Sequence, residues 1–285
     1  MMLILWIAGA SALSLLVMAG LVHLVVRSGK GGAGRALAEA ISRAPMLDLL
    51  VAWFTVMPPI AGFFVGAAVG GDGTWWDGWA HALFGALAAI IGQVAAMQVW
   101  IVLHEMANPQ ARKGPRILKV LNAKVGRVRN HTAVWWTALA VPIFAMTRAA
   151  ELLMWPMLVW LVRFPRYKQG DWVNVSRHKF SGLVGHDLIW CLYCDWMTGV
   201  WSLGTEMLRN VESFWCPIRF SSTAKCENCK TDFPDITGGW VRAEGDMAEV
   251  AAVLEKQYPF ASKADNSWFG HPARLTVNGN AIDKV

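Results

Sequence analysis

The chain has 285 residues, 55% hydrophobic and 16% charged, against about a quarter charged in an ordinary soluble domain. That shift excludes a conventional water-soluble fold for the whole chain, and it is uneven: residues 1–107 carry only nine of the Asp, Glu, Lys and Arg residues. The net charge of +6 clusters beside apolar runs, which follows the positive-inside rule of membrane proteins and weighs against a nucleic-acid partner.

The first apolar run, from about Met2 to Val26, has no basic leader. It is longer than the ~7–15 residue core of a secretory signal, so it reads as an uncleaved anchor helix. At ~1.5 Å rise per residue it spans a ~30 Å hydrocarbon core. The following Gly/Arg/Lys stretch, Arg27 to Arg35, lacks the preceding strand and the Gly-Lys-Ser/Thr ending of a phosphate cradle and reads as a cytoplasmic loop. Ala36 to Arg43 reads as a short surface helix. A second span runs from about Leu47 to Val69, with Pro58 and Pro59 at its middle. Two prolines remove two N–H donors, which predicts a kink with freed carbonyls.

The loop Gly70 to Trp79 is acidic, has no Lys or Arg and holds three Trp, as expected at an outer headgroup layer. With 17 Trp against 3 Tyr in the chain, that interfacial preference recurs elsewhere. Span three runs from about His81 to Met106 and carries Gln93 and Gln98, expected to bond across helices. Asn108 to Asn130 then holds seven basic residues (Arg112, Lys113, Arg116, Lys119, Lys124, Arg127 and Arg129) and no acid. This run assigns that loop to the cytoplasm and suits anionic lipid headgroups.

His131 to Val162 contains two apolar runs, interrupted by Pro142 and Pro156, around Arg148 and Glu151. Arg163, Arg166 and Lys168 follow. Basic residues at both ends favour a re-entrant or interfacial helical hairpin over one long tilted span. Arg148 and Glu151, three apart, are expected to pair on one helix face.

From Gly170 the composition becomes mixed. Cysteines fall at Cys191, Cys194, Cys216, Cys226 and Cys229. Two C-x-x-C pairs can supply the four thiolates of a tetrahedral zinc site, and Cys216, followed by proline, is a fifth candidate. Cys226 to Cys229 reads as a turn; Cys191 and Cys194 share one face of an apolar helix, with Asp187 on the same stripe. The spacing between the pairs exceeds the common zinc pattern. An iron–sulfur cluster, dithiol redox chemistry and buried unliganded thiols are the alternatives. His178, His186, Asp187, Asp195, Glu206 and Glu212 are a looser histidine–carboxylate set without a metal-ligand spacing. His104-Glu105 lacks the second histidine of a zinc-protease helix. His23 and His131 are candidate haem ligands, but a lone histidine in a span is more commonly an interhelical hydrogen bonder. The tail predicts a helix from Asp246 to about Lys256, N-capped by Asp246, and a strand near Arg274.

The sequence therefore predicts an α-helical integral membrane protein. Its domains are membrane-spanning helices (1–107), a basic cytoplasmic loop (108–130), an apolar hairpin or tilted span (131–169), a Cys/Trp-rich metal-binding region (170–234) and a small soluble tail (235–285). The last two form a cytoplasmic α+β region at the inner membrane. The expected role is an accessory or structural subunit of a membrane assembly, with lipid and membrane-protein partners or further copies of itself. The rival is a membrane-bound metalloenzyme or electron-transfer protein using the cysteines.

Overall fold

In a computed structural model of the chain, residues 2–28, 32–70, 74–215, 218–219, 241–242 and 244–257 are described. They divide into two compact units that interleave in sequence: Met1–Ala145 with Val173–Thr198, and Met146–Trp172 with Gly199–Val285.

The first unit is built on apolar helices. Helix α1 is Met2–Ser28, α2 is Gly32–Ile41, α3 is Met46–Thr55, α4 is Met57–Val69 and α5 is Trp75–Ala107. Helices α1 and α5 are each long and apolar enough to cross a membrane, and α3 with α4 form a further pair bent by 51°. Only 11% of the apolar window of α1 and 22% of that of α5 is buried. Side chains such as Leu5, Leu13, Leu87 and Ile91 are left exposed.

The bend falls at Val56, two residues before Pro58, and both prolines occupy the first turn of α4. Proline is at home there because the first N–H groups of a helix have no intrahelical partner. Helix α5 begins on a reciprocal cap: Thr74 N–H donates to Asp77 Oδ2 at 2.9 Å, and Asp77 N–H returns to Thr74 Oγ1. The exposed rings of Trp75, Trp76 and Trp79 cluster edge-on at this end.

Close packing of α4 on α5 rests on small residues. A methyl group on Gly62 would collide with the Gly85 carbonyl, and one on Gly85 with the Gly62 carbonyl. Gly62-Phe-Phe-Val-Gly66 thus acts as a small-xxx-small seam. Ser11 Oγ of α1 donates to Ala89 O of α5 at 3.1 Å.

The basic run forms three short helices: α6 (Pro109–Lys113), α7 (Ile117–Val125) and α8 (Arg127–Ala138). Helix α9 is Val141–Val162. The hairpin expected over 131–162 is not formed. Helices α8 and α9 together make one 36-residue apolar helix, Arg127–Val162. Pro142 lies in the first turn of α9, and the ladder crosses the step at Leu139–Ala140 through shorter-range bonds, Leu139 N–H to Trp136 O and Ala140 N–H to Thr137 O. A proline so placed interrupts the helix without reversing it.

The C-terminal α+β domain is also corrected, because the described part of the C-terminal half is helical. Its main element is α11, the 30-residue helix His186–Trp215; α10 is Gln169–Trp172 and α12 is Met247–Gln257. Among the described residues the only strands are the two-residue parallel pair β1 (Ile218–Arg219) and β2 (Val241–Arg242), too short to form a layer. The strand expected near Arg274 lies outside the described residues. Asp246 caps α12 as expected, accepting from Ala248 and Glu249 N–H at 3.0 Å each.

Within the second unit, Arg148 and Glu151 pair at 2.6 Å and are almost fully buried, and Arg148 also donates to Gln169. Trp155, Phe164, Tyr167 and Phe214 form its aromatic core, pinned where Trp155 Nε1 donates to Pro165 O at 3.0 Å.

Candidate functional site

The polar groups of the first unit gather where α5 ends. Glu105, on its last turn, faces Arg116, whose Nη2 donates to Glu105 Oε1 at 3.0 Å and to Val184 O at 2.9 Å. Arg116 Nε donates to Asp187 Oδ2 at 3.0 Å. The same carboxylate caps α7, accepting from Ile117 N–H and Leu118 N–H at 3.1 Å each. An anion at a helix N-terminus satisfies unpaired donors and meets the positive end of the helix dipole. Arg116 and Asp187 are both buried. Burial alone would lower the Arg116 pKa, but the two carboxylates outweigh it and hold the guanidinium more firmly protonated than usual.

Gly185 joins this network. Its φ of 54° lies in the left-handed region, and a side chain there would press on the Glu105 carboxylate. Glycine lets its N–H reach His104 Nδ1 at 3.2 Å. His104 stacks on Trp100 at 4.5 Å and meets the edge of His23 at 5.8 Å. Elsewhere in this unit, Val175 N–H donates to Ser42 O and Ala44 N–H to Val173 O, each at 2.9 Å.

Beside the network lies a cavity of about 170 Å³ lined by residues of α7, α8 and α11 and by Arg177. Both Cys191 and Cys194 line it, together with His186, Asp187 and Asn130. The two thiols are free and half-buried. Burial pushes the Cys191 thiol pKa up, and the nearby Arg177 guanidinium only partly offsets this. Arg177 is fixed by Asp195, which pairs with its Nε at 3.1 Å and accepts the backbone N–H groups of Ser176 and Arg177. His186 accepts from Trp190 Nε1 at 3.0 Å, and burial depresses its pKa. Next on α11, Tyr193 has a buried hydroxyl with no hydrogen-bond partner among the described residues. Its pKa is pushed up to about 12 by desolvation.

Of the expected metal ligands, the structure brings Cys191 and Cys194 together; Cys216, Cys226 and Cys229 lie outside the described residues. Among the described residues no group of three or more His, Cys, Asp or Glu is placed to hold a metal ion. The looser histidine–carboxylate set does not converge: Asp187 is bound to Arg116, Asp195 to Arg177, and Glu206 to Arg209 in the second unit. The sequence reading counted Arg116 only among the loop cations and gave Arg177 no role; the bond from Arg116 to Asp187 closes over 71 residues.

No protein-family model, curated protein or solved structure matches the chain.

Proposed function

We propose that the chain is an accessory subunit of a membrane protein assembly, with the α6–α7 region and the first half of α11 on the cytoplasmic side. The observation that carries the reading is the consumption of Arg116. Its guanidinium is divided among Glu105, Asp187 and the Val184 carbonyl, an arrangement that braces a helix end. A guanidinium held in this way supports a bracing role at the junction of α5, α7 and α11. The sparse burial of the apolar helices agrees, since much of their surface is left for lipid or for neighbouring helices.

The orientation is supported by two contacts within the first unit. Val173 and Val175 bond the Ser42–Ala44 segment, and Asp187 bonds Arg116. On this reading segments 42–44, 105–118 and 173–187 share one side of the membrane, and the α8–α9 helix that lies between the last two in sequence does not cross it. Arg112, Lys113, Lys119, Lys124, Arg127 and Arg129 are exposed on or beside those segments, and the positive-inside rule makes that side cytoplasmic.

The test is extraction from native membranes in mild detergent, followed by light scattering and subunit staining. The expected species contains a second polypeptide, or a second copy, in fixed stoichiometry. A homogeneous single chain from native membranes overturns the reading.

A further inference from the structure

We propose that α7 and α8 form an anchor that lies in the plane of the membrane and binds the headgroup layer of an anionic bilayer. The inference uses the sidedness argued above but not the accessory-subunit role. A single chain extracted from native membranes would remove that role and leave this surface as it is.

The two helices make one hairpin. Gly126, with a φ of 90° that favours glycine, turns the chain between them. Across the turn Asn130 Nδ2 donates to Asn122 Oδ1 at 2.9 Å, and Asn130 N–H donates to Gly126 O at 3.0 Å. The start of α7 is tied to the last turn of α5 by Arg116, which pairs with Glu105 and Asp187. Val102, Leu103 and Met106 carry the exposed apolar surface of α5 into that same turn. The hairpin therefore sits at the level where a spanning α5 leaves the hydrocarbon.

Its outward face is both apolar and cationic. Trp136 and Leu139 follow Val128 by eight and eleven residues, the repeat of one helix face, and the three are 74%, 62% and 78% exposed. Thr132 and Trp135, also exposed, fill the same stripe. Packing is confined to the opposite face, where Asn130 is buried and Val134 lines the cavity beside α11. Around the turn Lys124, Arg127 and Arg129 are exposed, and residues 108–130 contain no acid. A tryptophan-bearing apolar stripe bordered by cations is the composition of a helix lying at the headgroup boundary. A free phosphate would engage the cations and leave the stripe bare. An anionic bilayer takes up both at once, with rings at the acyl boundary and cations at the phosphates.

The full-length protein is reconstituted into phosphatidylcholine bilayers containing phosphatidylglycerol. Trace lipid of either headgroup, carrying a photoreactive group next to the phosphate, is activated and its adducts are mapped by mass spectrometry. The phosphatidylglycerol probe is expected to label residues 124–136 at least about fivefold more than the phosphatidylcholine probe, the preference that a single cation at an anionic surface supplies. High salt should shrink that ratio. Lys124→Gln/Arg127→Gln/Arg129→Gln brings it close to one, whereas Val128→Ser/Trp136→Ser lowers labelling by both probes. All five positions are exposed, and the comparison of the two probes on the unmutated protein needs no variant to fold. Equal labelling by both probes in the parent overturns the proposal, as does a ratio that survives the triple variant. So does labelling of residues 128–139 only by a lipid whose reactive group is at the acyl terminus, the mark of a helix that crosses. A segment left unlabelled because an acidic protein or nucleic acid occupies it overturns the proposal as well.

Discussion

The Gln93 carboxamide donates to the Thr55 carbonyl at 2.8 Å, and its second N–H goes to the Phe54 carbonyl at 3.0 Å. These are the two oxygens that an unbroken helix would have bonded to the N–H groups of residues 58 and 59, and both of those are proline. One side chain of α5 thus supplies two donors that α3 and α4 lack. In hydrocarbon no water can serve those carbonyls, so a broken span is tolerated where a neighbouring helix satisfies them. Because both partners are acceptors, the orientation of the amide follows from chemistry alone.

Replacing Gln93 by Leu strands two buried carbonyls, at a cost of roughly 1–3 kcal/mol each. In the Pro58→Ala/Pro59→Ala background the missing N–H donors return, and the same substitution is expected to cost much less. Unfolding in mixed detergent of the four proteins in this cycle reads the coupling. Equal costs in both backgrounds would remove the capping role.

Arg116→Met leaves Glu105 and Asp187 as unbalanced charges and frees the N-terminus of α7 from its fixed cap. The expected loss is roughly 3–5 kcal/mol, the scale for breaking a buried ion pair from one side. Arg112 approaches the same Glu105 at 3.9 Å but is 59% exposed, and Arg112→Met is expected to cost under about 1 kcal/mol. The contrast is read from thermal melts of the two variants in one detergent.

What was legible in the sequence follows from the range of the forces involved. The apolar runs announce α1, α4 and α5 because membrane thickness sets their length, and the Arg148–Glu151 pair and the Asp246 cap are local to one helix turn. The bend was legible from Pro58 and Pro59, but its partner Gln93 was not identifiable, since Gln98 on the same helix carries the same chemistry and is exposed. The hairpin expectation rested on the basic residues at both ends of 131–162, but the chain continues through Pro142 as one helix, because a proline in a first helical turn does not reverse it. The α+β expectation failed because mixed composition after Gly170 hides the 30-residue α11, whose polar residues are spent on Arg116, Arg177 and Arg209. The Gly62–Gly66 spacing was present as a signal and was not used.

That spacing gives a sharp contrast. Gly62→Leu and Gly85→Leu each place a side chain against a facing backbone carbonyl, whereas a methyl group on Gly9 would meet nothing within 4 Å. The first two are expected to destabilise by roughly 1–3 kcal/mol or more through overpacking, and Gly9→Leu to change little. A cysteine crosslink engineered between α4 and α5 reports the same event, forming readily in the parent and in Gly9→Leu and poorly in the other two.

The acid side of the stability profile should bear the mark of two histidines. Burial lowers the pKa of His178 and, most strongly among its influences, that of His186. The unfolded chain, with imidazoles near about 6.5, therefore binds protons at a pH where the folded chain does not. Stability rises with pH wherever the unfolded state holds more protons, so their contribution is full above about pH 6.5 and is lost as the pH falls through the depressed folded values. Glu39, lowered by its bond to Arg43, acts in the same direction only in the carboxylate range, which separates the two windows. Melting temperatures measured from pH 7.5 down to 5.5 should fall in the parent, and the fall should flatten in His178→Gln/His186→Gln, where glutamine at 186 can still accept from Trp190. An unchanged slope in that double variant would assign the acid sensitivity to other groups.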